Sequence, residues 1–530
     1  MKFLGKQISG MFTIPSGIVT TNPKVIERVA HDIPEIGVLT TKSIGLQPRE
    51  GYREPILAQY SPGCFVNAVG LSNPGADEFA RQMKAITIPN ERFLLSSIFG
   101  KDADEFVAVA KKVAPLSDGL ELNLSCPHAK GYGMAIGQDK DLVKKITSAV
   151  KKAVKIPVIP KLTPNFPDIG EIAEAAADGG ADGISAINTV GPSGYAVDGQ
   201  PVLSHGKGGE SGREIFPIGL KCVKEIAQKV KLPIIAMGGV SKAYHVKEYL
   251  KAGASIVGVG SSLAGMSTEE IKKYFSALNR DVKNGTHTAV LKPVDMTYHK
   301  YHVVKNIKLA SDLFIIQCDK KISILPGQFI FAWLPGVGEK PFSVLDDNPL
   351  TLAIRKAGCF TEKIMLLEKG DTLHIRGPYG VPVQVEKNAQ PIMVSGGCGL
   401  AALYHIAKQQ KNAKVFLGAR DKHHLFYVDE AKKLADVRIA TDDGSAGFHG
   451  FVTQLLEQEL KALAKKNVVF YNCGPEQMIE KAVAIEKKYV QPERIFTSID
   501  YATKCGIGLC GSCATPRGKR LCVDGPFFND

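Results

Sequence analysis

From residue 8 to about residue 265, short apolar and β-branched runs alternate with longer stretches whose apolar positions recur at helical spacing. The runs predict strands at Phe12–Val19, Val38–Ser43, Phe93–Ile98, Gly119–Cys126, Pro157–Leu162, Gly183–Asn188, Pro233–Met237 and Ser255–Val259. Between them, stretches such as DEFVAVAKKVA and IGEIAEAAADGGA place apolar residues on one face and charges on the other. Eight strand signals alternating with helices predict an α/β fold, a (β/α)8 barrel over residues 1–285. An open doubly wound sheet is the alternative, because periodicity alone cannot close a sheet.

The texture changes in the polar stretch 286–297, which reads as a linker. Residues 298–388 lose the long helices and show short strands with Gly/Pro turns, the pattern of a small antiparallel barrel. Alternation returns over 389–493, with PIMVSG, a helix at Ala401–Lys411, KVFLGA, VRIATDDG and VVFYNCG, as in a parallel nucleotide-binding sheet. Residues 494–530 carry four clustered cysteines.

Charge then narrows the function classes. The net +13 could suggest a nucleic-acid binder, but 35 basic face 28 acidic residues up to Lys292 and 31 face 25 after it. An excess so evenly spread, with no basic stripe or aromatic platform, points to anionic small ligands rather than nucleic acid. Glycine, 53 of 530 residues, exceeds the usual ~7% and suggests loops where backbone approaches a ligand. The N-terminal stretch has no sustained apolar segment and no run of 18 apolar residues occurs, so a soluble protein of a reducing cytoplasm, without membrane contact, is expected.

The strongest chemical signal is Cys505-x4-Cys510-x2-Cys513-x8-Cys522. C-x4-C-x2-C followed by a distant Cys is the spacing of a plant-type [2Fe–2S] cluster, and the glycines between let the loop turn its amides toward the sulfurs. A structural zinc knuckle is the competing reading, but zinc sites usually pair one C-x2-C with a second, which is absent here. A cluster implies one-electron traffic and hence a flavin partner. Cys64, Cys222, Cys318 and Cys473 read as structural thiols, and Cys359 and Cys398 as loop residues without chemistry.

Several short strings follow in order through the second half: Lys340-Pro341-Phe342-Ser343, Ile354-Arg355-Lys356, Gly358-Cys359-Phe360-Thr361, Gly377-Pro378-Tyr379-Gly380, SGGCGLAALY, LGAR and NCGPEQM. Together they resemble the ferredoxin–NADP⁺ reductase superfamily. With TDDGSAGFHGFVT and the cysteines, residues 298–530 are similar to the electron-transfer subunit of NAD-linked dihydroorotate dehydrogenases. The resemblance implies FAD held by Lys340, Pro341, Phe342, Ser343, Ile354, Arg355, Lys356, Phe360 and Thr361, and NAD on Gly396, Gly397 and Gly399. Lys340 stands where such subunits usually carry Arg, so the planar fork is lost.

In a (β/α)8 barrel the site forms at the C-terminal ends of the strands. Those ends supply Lys42, Asn123 with Cys126, Lys161, Asn188 with Thr189, Gly238 with Gly239, and Gly260 with Ser261. The glycine pairs after strands seven and eight suit a phosphate. TKS, NAVGLSNPG, NLSCP, KLTPN, INT, GGESG, MGGV and VGVGSS resemble the dihydroorotate dehydrogenase family over residues 1–270. That implies FMN bound by Ser16, Lys42, Ser43, Asn123, Lys161, Ile187, Gly212, Gly238, Gly239, Gly260 and Ser261. Substrate would lie against Lys42, Asn67, Ala68, Val69, Gly70, Leu71, Asn123, Asn188 and Thr189.

Cys126 is the catalytic candidate. Oxidising a dihydropyrimidine removes a C5 proton while hydride leaves C6, and a thiol of ordinary pKa near ~8.5 is a serviceable base. Two positions depart from the family pattern: Ser97 and His128 each stand where NAD-linked relatives usually have Asn. ELNLSCPH is similar instead to dihydropyrimidine dehydrogenase, whose uracil lacks the carboxylate, whereas NAVGLSNPG keeps the dihydroorotate form. The combined resemblance implies a fused NAD-dependent dihydroorotate dehydrogenase of pyrimidine biosynthesis, with electrons passing from FMN through [2Fe–2S] and FAD to NAD. The alternative is reduction of uracil or thymine by NAD(P)H. A homo-oligomer is expected.

Overall fold

In the computed structural model, which describes residues 1–124, 134–386, 388–410, 412–463 and 467–529, all eight predicted strands of the first half form one closed barrel. They are β1 (Phe12–Ile14), β2 (Ile36–Thr40), β3 (Phe93–Ile98), β4 (Gly119–Asn123), β5 (Val158–Leu162), β6 (Ile184–Ala186), β7 (Ile234–Met237) and β8 (Ala254–Gly258). Neighbours in sequence pair in parallel, and β8 closes on β1 with Val257 opposite Phe12. The open-sheet alternative is thereby excluded.

The helices between strands start where the sequence can cap them. Asp102, Asp139 and Asp168 each accept backbone N–H bonds in the first turn of Ala103–Val113, Lys140–Ala153 and Ile169–Asp178. Each cap is worth about 1 kcal/mol. The barrel is filled unevenly. Phe3, from a short hairpin (Lys2–Phe3 with Lys6–Gln7), meets Phe93 edge to face at 5.3 Å and joins Val38, Leu95, Ile159, Ile235 and Ile256 in an apolar floor. Burying one such side chain stabilises by about 1.5–3 kcal/mol. Buried Thr13, Thr40, Glu121, Lys161 and Ser185 make the interior polar elsewhere.

Two long loops at the strands' C-terminal ends build a feature that the periodicity does not announce. Leu57–Ser61 and Cys64–Asn67, after β2, pair with Val190–Gly194 and Lys207–Gly212, after β6, in a four-stranded antiparallel sheet.

The chain divides into two units, Met1–Asp295 with Ile507–Arg520 and Met296–Gly506 with Leu521–Asp530. The polar stretch expected as a linker is anchored for most of its length on the first unit. Buried Asp281, in helix Thr268–Asn284, accepts from Thr286 Oγ1 and from the N–H groups of Thr288 and Ala289 at 2.6–2.8 Å, and Lys292 pairs with Glu270 at 2.9 Å.

In the second unit, the strands expected as a small antiparallel barrel form one seven-stranded antiparallel sheet over a core that includes Val303, Phe314, Ile330, Leu352 and Ile375. A six-stranded parallel sheet follows: β9 (Gln390–Gly396), β10 (Lys414–Ala419), β11 (Asp436–Thr441), β12 (Phe448–His449), β13 (Val468–Cys473) and β14 (Ile495–Ser498), in spatial order β12-β11-β10-β9-β13-β14. The predicted helix after β9 spans Leu400–Lys408. Strand order reverses at β9, so a crevice opens beyond its carboxyl end. Among the described residues no helix is long and apolar enough to cross a membrane.

One buried carboxyl in this sheet has a measurable signature. Asn472 Nδ2 donates to Glu486 Oε2 at 2.9 Å, and both side chains are fully buried. Among the described residues Glu486 Oε1 and Asn472 Oδ1 have no hydrogen-bond partner, and a proton on Glu486 supplies the missing donor. Burial pushes this carboxyl from 4.5 up to about 8. A raised carboxyl leaves its stability contribution intact below pH 4.5 and loses it as pH rises through about 8. Glu486→Gln keeps the pairing without the proton. It should melt as wild type at acid pH and higher than wild type above pH 8, by on the order of 1–3 kcal/mol, checked by calorimetry across pH.

Candidate functional site

The barrel's polar residues meet in one hydrogen-bonded chain. Ser43 Oγ lies 3.1 Å from Ser16 Oγ and 2.9 Å from Ser97 Oγ, and accepts from Asn123 Nδ2 at 2.9 Å. Asn188 Nδ2 in turn donates to Asn123 Oδ1 at 3.3 Å. These five side chains come from the ends of β1, β2, β3, β4 and β6, so closure of the barrel assembles them. Ser97, noted in the sequence as a departure, is wholly buried and bonded within this chain.

Lys161, at the end of β5, is 5% exposed, with Nζ 3.7 Å from Glu121 Oε1. Glu121 Oε2 accepts from Ser185 Oγ at 2.9 Å, so the carboxylate is fixed from two sides. Lys42 Nζ donates to Ser72 Oγ at 2.8 Å, which ties β2 to the NAVGLSNPG loop. That loop is tight: Gly70 and Leu71 have φ of +77° and +56°, and Asn73 Oδ1 accepts from the N–H groups of Gly45 and Gly75. Asn67 Nδ2 donates to Gly209 O at 3.0 Å across the four-stranded sheet. Asn165 Nδ2 bonds Thr189 O and its Oδ1 accepts from Gly191 N. Ser72, Asn73 and Asn165 were not singled out from the sequence, although SNPG and TPN are turn signals that hold them.

After β7, Gly238 and Gly239 have φ of +124° and +71°, and a Cβ on Gly239 would lie 2.7 Å from Phe216. Tyr249 Oη donates to Gly238 O at 2.8 Å and fixes that turn. Ser261 opens a short 3-10 turn after Gly260, Ile187 is buried, and Gly212 has φ +123°. A buried ammonium, a polar ring and glycine turns at the strand ends are the groups FMN requires, so the residues fit that cofactor. Cys126 and His128 lie outside the described residues.

In the second unit, Lys340, Pro341, Phe342 and Ser343 lie on strand Gly338–Ser343, and Arg355 ends strand Leu350–Arg355, exposed like Lys356 beside it. Phe342 and Phe360 stack with centroids 6.2 Å apart. Thr361 Oγ1 accepts from Ala357 N at 2.8 Å and donates to Gly358 O at 2.9 Å, closing a turn at Gly358 (φ +150°) beside open space. The Ile354 side chain belongs to the core. Burial raises the Asp500 carboxyl while Arg355 and Lys340 oppose it, which places both cations near one carboxylate. Exposed cations, a stacking aromatic and an open glycine turn fit FAD.

At the switch point, Gly396, Gly397 and Gly399 follow β9, and the NCGPEQM turn follows β13. The backbones touch: a Cβ on Gly399 would overlap Cys473 O, and one on Gly474 would lie 2.9 Å from Gly396 N. Gly397 (φ +53°) borders open space, as a dinucleotide site requires. Burial pushes the Cys398 thiol up to about 11 and Cys473 up to about 12, so neither is a ready nucleophile.

Cys505, Cys510, Cys513 and Cys522 are all buried and none forms a disulfide. Four thiols at that spacing, with left-handed glycines at 506, 508 and 511, have the donor chemistry that an iron–sulfur cluster takes. Ile507–Arg520 packs within the first unit. Gly265 N donates to Ile507 O at 2.8 Å, Val19 N to Leu509 O at 2.7 Å, Thr21 Oγ1 to Cys510 O at 3.0 Å, and Arg520 Nη2 to Met266 O at 2.8 Å. The barrel loops that hold it follow β1 and β8 and carry Ser16, Gly260 and Ser261. The sequence pattern offered no sign of this docking.

Known proteins match the same segments of the chain. Residues 1–279 match the dihydroorotate dehydrogenase family, residues 393–484 an oxidoreductase NAD-binding domain, and residues 502–530 the iron–sulfur cluster binding domain of dihydroorotate dehydrogenase B. The catalytic subunit of dihydroorotate dehydrogenase B (NAD⁺) from Methanocaldococcus jannaschii is 44% identical over 266 residues, 49% of this chain and 85% of the relative. The Pyrococcus abyssi subunit of the same name is 37% identical over 296 residues, 55% of this chain and 96% of the relative. A solved NADH-dependent reduced ferredoxin-NADP oxidoreductase aligns at 30% identity over 43% of this chain and 87% of its own, with a TM-score of 0.40, too loose to bear on function.

The contact at Gly399 is directly testable. Gly399→Ala forces the two turns apart and should weaken NADH binding roughly tenfold or more, about 1.4 kcal/mol, in a fluorescence titration, while FMN content stays at wild type.

Proposed function

The chain belongs to the dihydroorotate dehydrogenase family, and we propose that it is a fused NAD-dependent enzyme that oxidises dihydroorotate in its barrel and delivers the electrons to NAD through its second half. Its cofactors are FMN, FAD, a [2Fe–2S] cluster and NAD. When bound, the flavins exchange hydride with substrate and nucleotide, and the cluster carries single electrons between the two flavins.

One observation carries the substrate assignment: Lys42, Asn123 and Asn188 converge on one barrel mouth, with the two amides joined to each other and to Ser43. Dihydroorotate offers ring N–H groups, ring carbonyls and a carboxylate. Carboxamides both donate and accept, so Asn123 and Asn188 complement the ring edge. The Ser43 bond holds Asn123 in one amide orientation, and Asn123 orients Asn188 in turn. Lys42, braced by Ser72, brings a cation to an anionic substrate. Lys161, buried beside Glu121, is assigned to the flavin, whose reduced form gains negative charge. Cys126 is assigned as the base that takes the C5 proton while hydride leaves C6. A homo-oligomeric assembly belongs to the same proposal.

His128 favours a second reading, in which a ring without a carboxylate is the substrate. Anaerobic mixing of the purified protein with dihydroorotate or with dihydrouracil separates the two. Dihydroorotate should bleach the flavin, and bleaching by dihydrouracil alone overturns the assignment. Cys126→Ala should slow this reduction by roughly 10²–10⁴, and a wild-type rate would remove Cys126 as the base.

A further inference from the structure

Within the second unit, strand Thr372–Tyr379 buries the Arg376 guanidinium completely. Its Nε and Nη2 donate to the two carboxylate oxygens of Glu339 at 2.6 and 2.7 Å, and Tyr298 Oη donates to the same carboxylate at 2.6 Å. The guanidinium lies over the Phe331 ring, 4.0 Å from its centroid. Its remaining nitrogen, Nη1, donates to the backbone carbonyl of Cys505 at 3.0 Å. Gly506 (φ +81°) follows so closely that a Cβ there would lie 2.7 Å from Phe331 and 3.3 Å from Nη1.

Stability does not account for this arrangement. Desolvating two opposite charges offsets most of their attraction, and well-packed apolar residues usually serve a core as well. What the pair supplies is direction. A bidentate carboxylate locks the plane of the fork, and the locked plane aims Nη1 at one peptide carbonyl. That carbonyl belongs to the first cysteine of the C-x4-C-x2-C motif. Thiolate ligands are oriented by the groups that hold them, and hydrogen bonds and charge around a cluster set its potential.

We propose that Arg376 is a positioning residue for the iron–sulfur cluster: with Glu339 it fixes the main chain of Cys505, and the balance between the two charges sets the cluster's reduction potential. The proposal rests on the reading of Cys505, Cys510, Cys513 and Cys522 as [2Fe–2S] ligands. Neither Arg376 nor Glu339 is among the four thiol ligands of that reading. Reduction adds one electron to the cluster, so a guanidinium relieved of its carboxylate stabilises the reduced state.

The test uses the full chain with its cofactors, in three variants. Glu339→Gln keeps the shape of the pair and unbalances the charge. Arg376→Lys keeps the charge and loses the fork. Arg376→Met combined with Glu339→Met removes both charges without leaving one buried alone. The measurements are iron and sulfide per chain, the electron paramagnetic resonance spectrum of the reduced protein, its midpoint potential, and iron release to a chelator. Glu339→Gln should retain iron and titrate at a more positive potential. The double variant should keep the fold by circular dichroism, broaden the spectrum and release iron roughly tenfold faster, with Arg376→Lys in between. Wild-type spectra, potentials and release rates in Glu339→Gln and Arg376→Lys overturn the proposal even if the double variant does not fold. A wild-type chain that holds zinc and no iron overturns the ligand reading, and the proposal with it.

Discussion

Closure of eight parallel strands is the constraint on which the barrel half of this protein depends. Parallel pairing points every strand the same way, so all eight carboxyl ends fall on one rim. Residues far apart in sequence are thereby delivered to one ring: Ser43 reaches Ser16, Ser97 and Asn123, and Asn123 reaches Asn188. Each bond crosses between strands, so an error in the register of one strand would break the network at that strand. The apolar floor built on Phe3 and Phe93 closes part of the interior and leaves the polar side chains to the mouth.

The second unit meets a different constraint, close approach of backbone to backbone. The turns after β9 and β13 come together because glycine occupies positions 399 and 474, where a Cβ would run into the backbone of the opposite turn. Buried charge is handled with similar economy. The Arg376 fork is matched by Glu339 and by one peptide carbonyl, while Glu486, bonded to the neutral Asn472, is driven toward its neutral form by burial.

Much of this was legible in the chain. The eight strand runs, the amphipathic stretches between them and the parallel sheet after residue 389 follow from local periodicity. The four-stranded sheet over the barrel was not legible, because its strands are short and its two hairpins join through a pair more than a hundred residues apart, Asn67 opposite Gly209. The braces Ser72, Asn73 and Asn165 were missed for a related reason: a small polar residue in a turn looks alike whether it faces water or holds a site. Cys126, which carries most of the proposed chemistry, lies on a stretch outside the described residues.

By itself the sequence determined the kinds of element, their order and the chemistry on offer: thiols at cluster spacing, glycine turns, and lysines and asparagines at strand ends. Those properties are local, set by periodicity, by backbone freedom and by side-chain type. Tertiary structure alone decided which of these groups meet. It closed the sheet, turned the stretch after residue 285 into a strap held by Asp281, set Ile507–Arg520 against the loops after β1 and β8, and aimed Arg376 at Cys505. Such contacts depend on the packing of distant segments against one another, and no window of neighbouring residues encodes them.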